Sequence, residues 1–127
     1  MNKKELKEFI LDLFQVWQHG DRDRLPSFYD KNIVAYSDFK RISLEDIFNR
    51  FEFAQKKFLE IDHGVQDLFV DEEEGKIAIR MKQNLTLRED TSQVLSCEVI
   101  SIYKVVDYKI TEILMSFYPN IDYCGND

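Results

Sequence analysis

At 127 residues the chain has the length of one domain, and a chain of this size buries roughly two-thirds of the surface it exposes when unfolded. Ten Phe, six Tyr and one Trp within a 44% hydrophobic, 32% charged composition exclude an intrinsically disordered polymer. The net charge is −7, the basic residues are scattered, and the densest charge run, Asp71–Glu74, is acidic. That pattern excludes nucleic acid and anionic membrane as partners, because displacing counterions from phosphates needs Lys and Arg gathered on one face.

No apolar h-region follows Met1–Glu5, and no apolar run approaches the roughly 20 residues of a membrane span. Cys97 and Cys124 share no metal-type spacing. A cytoplasmic protein with free thiols, no metal and no other cofactor is expected.

Leu6, Phe9, Ile10, Leu13, Phe14 and Trp17 share one helical stripe and predict a helix from about residue 2 to 18, stopped by Gly20. Asp23 is placed to cap a short second helix with Pro26 in its first turn and Leu25, Phe28 and Tyr29 facing inward. Residues 32–38 alternate as a short strand. Ser43 and Asp46 then form a capping-box variant with an Ile42–Ile47 staple. The third helix that follows has Leu44, Ile47, Phe48, Phe51, Ala54 and Phe58 as its buried stripe.

From Ile61 the period changes to two and predicts strands over 61–70, 76–88, 93–105 and 109–118. Ile77, Ile79, Met81, Gln83 and Leu85 share one face of the second of these. Thr111, Ile113, Met115 and Phe117 share one face of the last. A tight turn at Val106–Asp107 would pair Ile100 with Ile113. Glu98, Ile100 and Ile102 would then lie on the concave face with Met115, and Leu95, Cys97, Val99, Tyr103 and Val105 on the outer one. The element order excludes a parallel-sheet protein. It predicts an α+β domain over 1–119 in which three N-terminal helices pack on a curved, mainly antiparallel sheet, followed by a polar tail over 120–127.

At this point the chain resembles the SnoaL-like branch of the nuclear-transport-factor-2-like superfamily. The resemblance rests on Trp17-Gln18-His19-Gly20-Asp21 closing the first helix, on Leu25-Pro26-Ser27-Phe28-Tyr29, and on the strand Ile33-Val34-Ala35-Tyr36. It continues in Val105-Val106-Asp107-Tyr108-Lys109-Ile110, with Tyr108 where glycine is usual. The resemblance implies a cone with an internal pocket, and a homodimer through the outer face of the sheet. It implies function poorly, since the fold serves isomerases, cyclases, dehydratases, epoxide hydrolases and non-catalytic modules. Against ketosteroid isomerases, the positions of the tyrosine, the base and the second acid fall on Leu13, Ser37 and Ile100, so all three roles are empty. Arg80, on a polar face, does not supply the interior arginine of limonene-epoxide-hydrolase chemistry.

Within the expected cone, Glu98 is the first candidate acid or base, because an apolar setting raises a carboxyl pKa into a useful range. Asp38, near the mouth, is the second. Gln83 is the one polar residue on its strand face and needs a partner if buried. Trp17, Tyr36, Phe51, Ile113 and Met115 are candidate lining residues. His63 can titrate near neutrality, and Cys97 has no histidine in its sequence context. The reading is a small, mostly apolar ligand bound in the cone with cofactor-independent acid–base chemistry. The alternative is a non-catalytic dimeric module that uses the outer sheet face.

Overall fold

Two amphipathic helices cover one face of a curved, unclosed sheet in the computed structural model, which describes residues 1–119. The tail expected over 120–127, including Cys124, lies outside the described residues. Helix α1 (Lys3–His19) starts at a capping box in which Asn2 and Glu5 satisfy each other's backbone N–H groups. It ends at Gly20, whose φ of 68° lets its N–H reach the Val16 carbonyl. Leu25–Phe28 is a single 3-10 turn with no side-chain cap, so two α-helices form where three are expected. Four residues are too few to propagate a helix, and Tyr29 is already committed to pairing with Ile110.

Strands β1 (Tyr29–Ser37) and β2 (Lys40–Ile42) form a hairpin whose turn residues, Asp38 and Phe39, have φ of 50° and 68°. Helix α2 (Leu44–Lys57) has the expected Ser43–Asp46 box, and Ile42 and Ile47 are both buried beneath it. Phe58 leaves the helix in an extended conformation and opens β3 (Phe58–Asp62), followed by β4 (Val65–Asp71), β5 (Lys76–Leu87), β6 (Val94–Val106) and β7 (Lys109–Tyr118). The sheet runs β2-β1-β7-β6-β5-β3, with β4 also paired to β5. Among the described residues, only the β1–β7 pair is parallel.

The single strand expected over 61–70 is broken at Gly64. Its φ is 56°, and a Cβ there would stand 2.1 Å from the Lys82 carbonyl oxygen. Only glycine permits that approach, which lets its own carbonyl accept the Lys82 N–H at 2.9 Å.

The β6–β7 hairpin decides which residues face inward. Its turn is Asp107–Tyr108, both at positive φ, with Val106 opposite Lys109. Tyr108 tolerates that conformation while its hydroxyl donates to Glu5 Oε2 at 2.6 Å and its ring packs edge-on against Phe9. Val105 pairs with Ile110, but Lys104 pairs with Glu112, so Thr111 is an extra residue in a β-bulge. One extra residue reverses the parity of everything beyond it. Ile113 therefore meets Tyr103, and Ile100 meets Ser116, not Ile113 as expected. The buried face of β6 is Cys97, Val99, Ser101, Tyr103 and Val105, while Glu98, Ile100 and Ile102 are exposed. The apolar outer patch expected from Cys97, Val99, Tyr103 and Val105 is thus core. Phe9, Leu13, Phe51, Ile79 and Ile113 are buried, and Phe48 packs partly covered against Tyr29.

Candidate functional site: a small pocket inside the cone

Most of the cone is filled by side chains. What remains is a partly open cavity of about 80 Å³ between the helices and the concave sheet face. Helix α1 contributes Leu13, Phe14 and Trp17, and α2 contributes Ile47, Arg50 and Ala54. The sheet supplies Met81, Gln83 and Leu85 from β5, Val99, Ser101 and Tyr103 from β6, and Ile113, Met115 and Phe117 from β7. Tyr29 and His63 complete the polar part of the wall. The cavity is smaller than the roughly 300–1,000 Å³ of drug-sized ligand sites.

Of the expected lining residues, Trp17, Gln83, Ile113 and Met115 reach the cavity. Phe51 is buried but stands behind Trp17, edge-on at 5.2 Å between ring centroids, and supports the wall without forming it. Tyr36 points the other way, because Ala35 and Ser37 are the inward residues of β1. It lines a groove on the outer face instead. Glu98 is exposed on the convex side, a consequence of the Thr111 bulge. Asp38 occupies the β1–β2 turn, where its N–H donates to the Met115 carbonyl at 2.9 Å and its Oδ1 accepts the Phe117 N–H at 3.0 Å. Those bonds tie β7 to the hairpin, and Asp38 is absent from the cavity wall. No Asp or Glu is among the residues that line the cavity.

The polar groups that do line it are set by the fold. Tyr29 accepts a hydrogen bond from Trp17 Nε1 at 3.2 Å, and burial pushes its phenol up, so it stays protonated. Burial also raises Tyr103, partly offset by the adjacent Ser101 hydroxyl. Arg50 donates from Nη1 to Ser37 Oγ at 2.9 Å. Gln83 is buried, and its Oε1 has a long contact from the buried Cys97 thiol at 3.9 Å. Desolvation raises that thiol's pKa and makes it a poor nucleophile.

His63 and Ser101 are the unusual members. The break at Gly64 holds His63 against α1, where its ring stacks on Phe14 at 4.5 Å and 11°. Burial lowers its pKa to about 4, outweighing the opposing charge of Asp62, so the ring is neutral at pH 7. Its Nδ1 is buried without a hydrogen-bond partner, and Ser101 Oγ closes no bond of acceptable distance and angle either, although the Tyr103 phenol lies near enough to feel its hydroxyl. Buried polar atoms without partners are uncommon in native proteins and call for a cause. The sequence marks His63 only as a group able to titrate near neutrality, and it gives no sign of Ser101. Period-two patterning could have found Ser101 only with the bulge in hand, since Ser101 shares a face with Gln83 through the pair of Ile79 and Ser101.

Among the described residues, no helix is long and apolar enough to cross a membrane, and no three His, Cys, Asp or Glu side chains gather as a metal site would require. No protein-family model matches the sequence, and no curated protein sequence matches it at a significant level. Solved structures do match. The chain is of the class of α+β cones in which helices cover a curved sheet over a small internal pocket. AclR from Streptomyces galilaeus, a proposed hydroxylase, superposes with a TM-score of 0.79 at 22% identity over 90% of this chain and 75% of its own. IdmH from Streptomyces antibioticus, a proposed polyketide cyclase, gives 0.75 at 16% identity over 88% and 91%. A proposed SnoaL-like polyketide cyclase from Shewanella denitrificans gives 0.72 at 13% identity over 88% and 89%. The fold is therefore the SnoaL-like, nuclear-transport-factor-2-like cone, and at these identities the likeness is one of fold.

Proposed function

We propose that the cone binds a small, mostly apolar ligand carrying a polar group, without a cofactor. The observation that carries this reading is the pair of buried polar atoms without hydrogen bonds, His63 Nδ1 and Ser101 Oγ, among the residues that line a mostly apolar cavity. A wall built only for packing has no use for them, because each costs roughly 1–3 kcal/mol when desolvated and left unpaired. The fold likeness to proposed polyketide cyclases agrees with a ligand in this place but does not identify it. If an acid–base step accompanies binding, it falls to neutral His63, since Glu98 is outside the cone and Asp38 is engaged in its turn. Toluene, added to isotopically labelled protein at pH 7, tests the cavity. Shifts concentrated at the Met81, Leu85 and Val99 methyls are expected, and a spectrum that changes with neither toluene nor phenol refutes the site.

The outer face supports the dimer reading with different residues from those expected. Ile100, Ile102 and Leu114 are exposed side by side with Tyr36 and Phe39 around a groove of about 400 Å³. Lys76, Lys104 and Glu112 border the neighbouring surface. A face with apolar residues beside charges of both signs is complementary to its own copy across a twofold axis. We assign this face to a second copy of the chain.

A further inference from the structure

We infer that the ligand of the cone is an uncharged aromatic or similarly compact apolar molecule bearing a hydroxyl group, held by His63 and Ser101. The inference rests on the cavity reading above and narrows it to a chemical class. It starts from what these two atoms can do. Ser101 Oγ can both donate and accept, and the tautomer of His63 decides whether Nδ1 donates or accepts. A ligand carbonyl could satisfy only one of those tautomers. A hydroxyl satisfies either, because it donates and accepts at once, and it can bond the serine in the same way.

The rest of the wall argues for an uncharged molecule. No carboxylate lines the cavity to pair with a cation, and Arg50, the one cationic side chain among the lining residues, is already committed to Ser37 Oγ and to the charge of Asp46, which weakens its pull on an anion. Desolvation holds the His63 ring neutral and both buried phenols, Tyr29 and Tyr103, protonated, so these polar groups of the wall carry no charge. Size points the same way. A volume of about 80 Å³ is about half of the roughly 150 Å³ dry cavity that encloses benzene, so nothing larger than one ring fits, and a ring must extend into the open mouth of the site. The flat stack of His63 on Phe14 fixes the plane of the imidazole and with it the direction of the Nδ1 bond.

Phenol and toluene separate the possibilities, because they share a ring and a size and differ in the hydroxyl. In a purely apolar cavity phenol loses, since its hydroxyl is stripped of water with nothing in return. Titrations of the full chain at pH 7, followed by the same methyl shifts, are expected to show phenol binding at least about tenfold tighter than toluene, the worth of one hydrogen bond to a group otherwise left unpaired. Ser101→Ala and His63→Phe, the second of which keeps a ring on Phe14, are each expected to remove that preference. Toluene binding as well as phenol overturns this inference and leaves the cavity reading standing. Phenol preferred but unaffected by either variant overturns the assignment to these two residues. If neither ligand binds, the cavity reading falls and this inference with it.

Discussion

His63 gives the molecule a stability term that depends on pH in a window where few other groups titrate. An exposed imidazole takes up its proton near pH 6.5, and this one only near 4 because burial disfavours the charged ring. Between those values the unfolded chain binds more protons than the folded one, so stability is complete above pH 6.5 and falls as the pH drops toward 4. At about 1.4 kcal/mol per pH unit the full effect is roughly 3 kcal/mol. About 2 kcal/mol of it is already lost by pH 5, less whatever solvent screening the ring's partial exposure allows. The window lies above the carboxylates. Glu5 and Asp46 are held below the usual range by their capping hydrogen bonds, so their contributions persist until lower pH. His19, the other histidine, sits exposed at the end of α1 with Gln15 as its partner. Urea midpoints at pH 7 and pH 5 should therefore drop clearly for the native chain and much less for His63→Phe. A midpoint that does not move between these values, or moves equally in the variant, would show that the ring is not desolvated as described.

Phe51→Ala should cost about 3–5 kcal/mol by chemical denaturation, since it empties a fully buried site and removes the edge contact that supports Trp17. An unchanged midpoint would mean the stripe of α2 is misassigned. Ser43→Ala should cost about 1 kcal/mol through loss of the cap to the Asp46 N–H at 3.0 Å, and a loss below a few tenths would place the stop signal elsewhere. The native chain should sediment as a dimer at micromolar concentration, and Ile100→Glu and Leu114→Glu as folded monomers. A native monomer, or variants that still dimerise, would refute the outer-face contact. Val99→Glu, which buries a charge on the inner face, should unfold the protein and not merely dissociate it.

Much of the architecture was legible because its signals are local. The stripe from Leu6 to Trp17, the Gly20 stop, the Ser43–Asp46 box and the alternation of β5 each depend on residues within a few positions, and each stands where its pattern puts it. What failed depends on partners distant in sequence. Leu25–Phe28 has the composition of a helix start, yet Tyr29 is drawn into the sheet by Ile110, 81 residues later. The region around Gly64 carries apolar alternation on both sides. The break there is imposed by the backbone of Lys82, which period-two patterning does not contain.

The candidate site was less legible than the fold because it hangs on a single residue. Strand β6 has apolar side chains on both faces, Val99 and Tyr103 on one and Ile100 and Ile102 on the other, so hydrophobicity alone cannot orient it. Orientation comes from the partner strand, and there the insertion of Thr111 reverses the parity. Its hydroxyl makes only a 3.4 Å contact to the Lys104 carbonyl, a weak mark that leaves no signature in the sequence. From that one reversal follow the removal of Glu98 from the cone, the entry of Ser101, and the replacement of Cys97 and Val99 by Ile100 and Ile102 on the outer face. Ile110 and Ile113 offered one clue, since both are fully apolar, three apart, and unable to share a face of an unbroken strand. Both are buried, and a bulge between them is the arrangement that allows it.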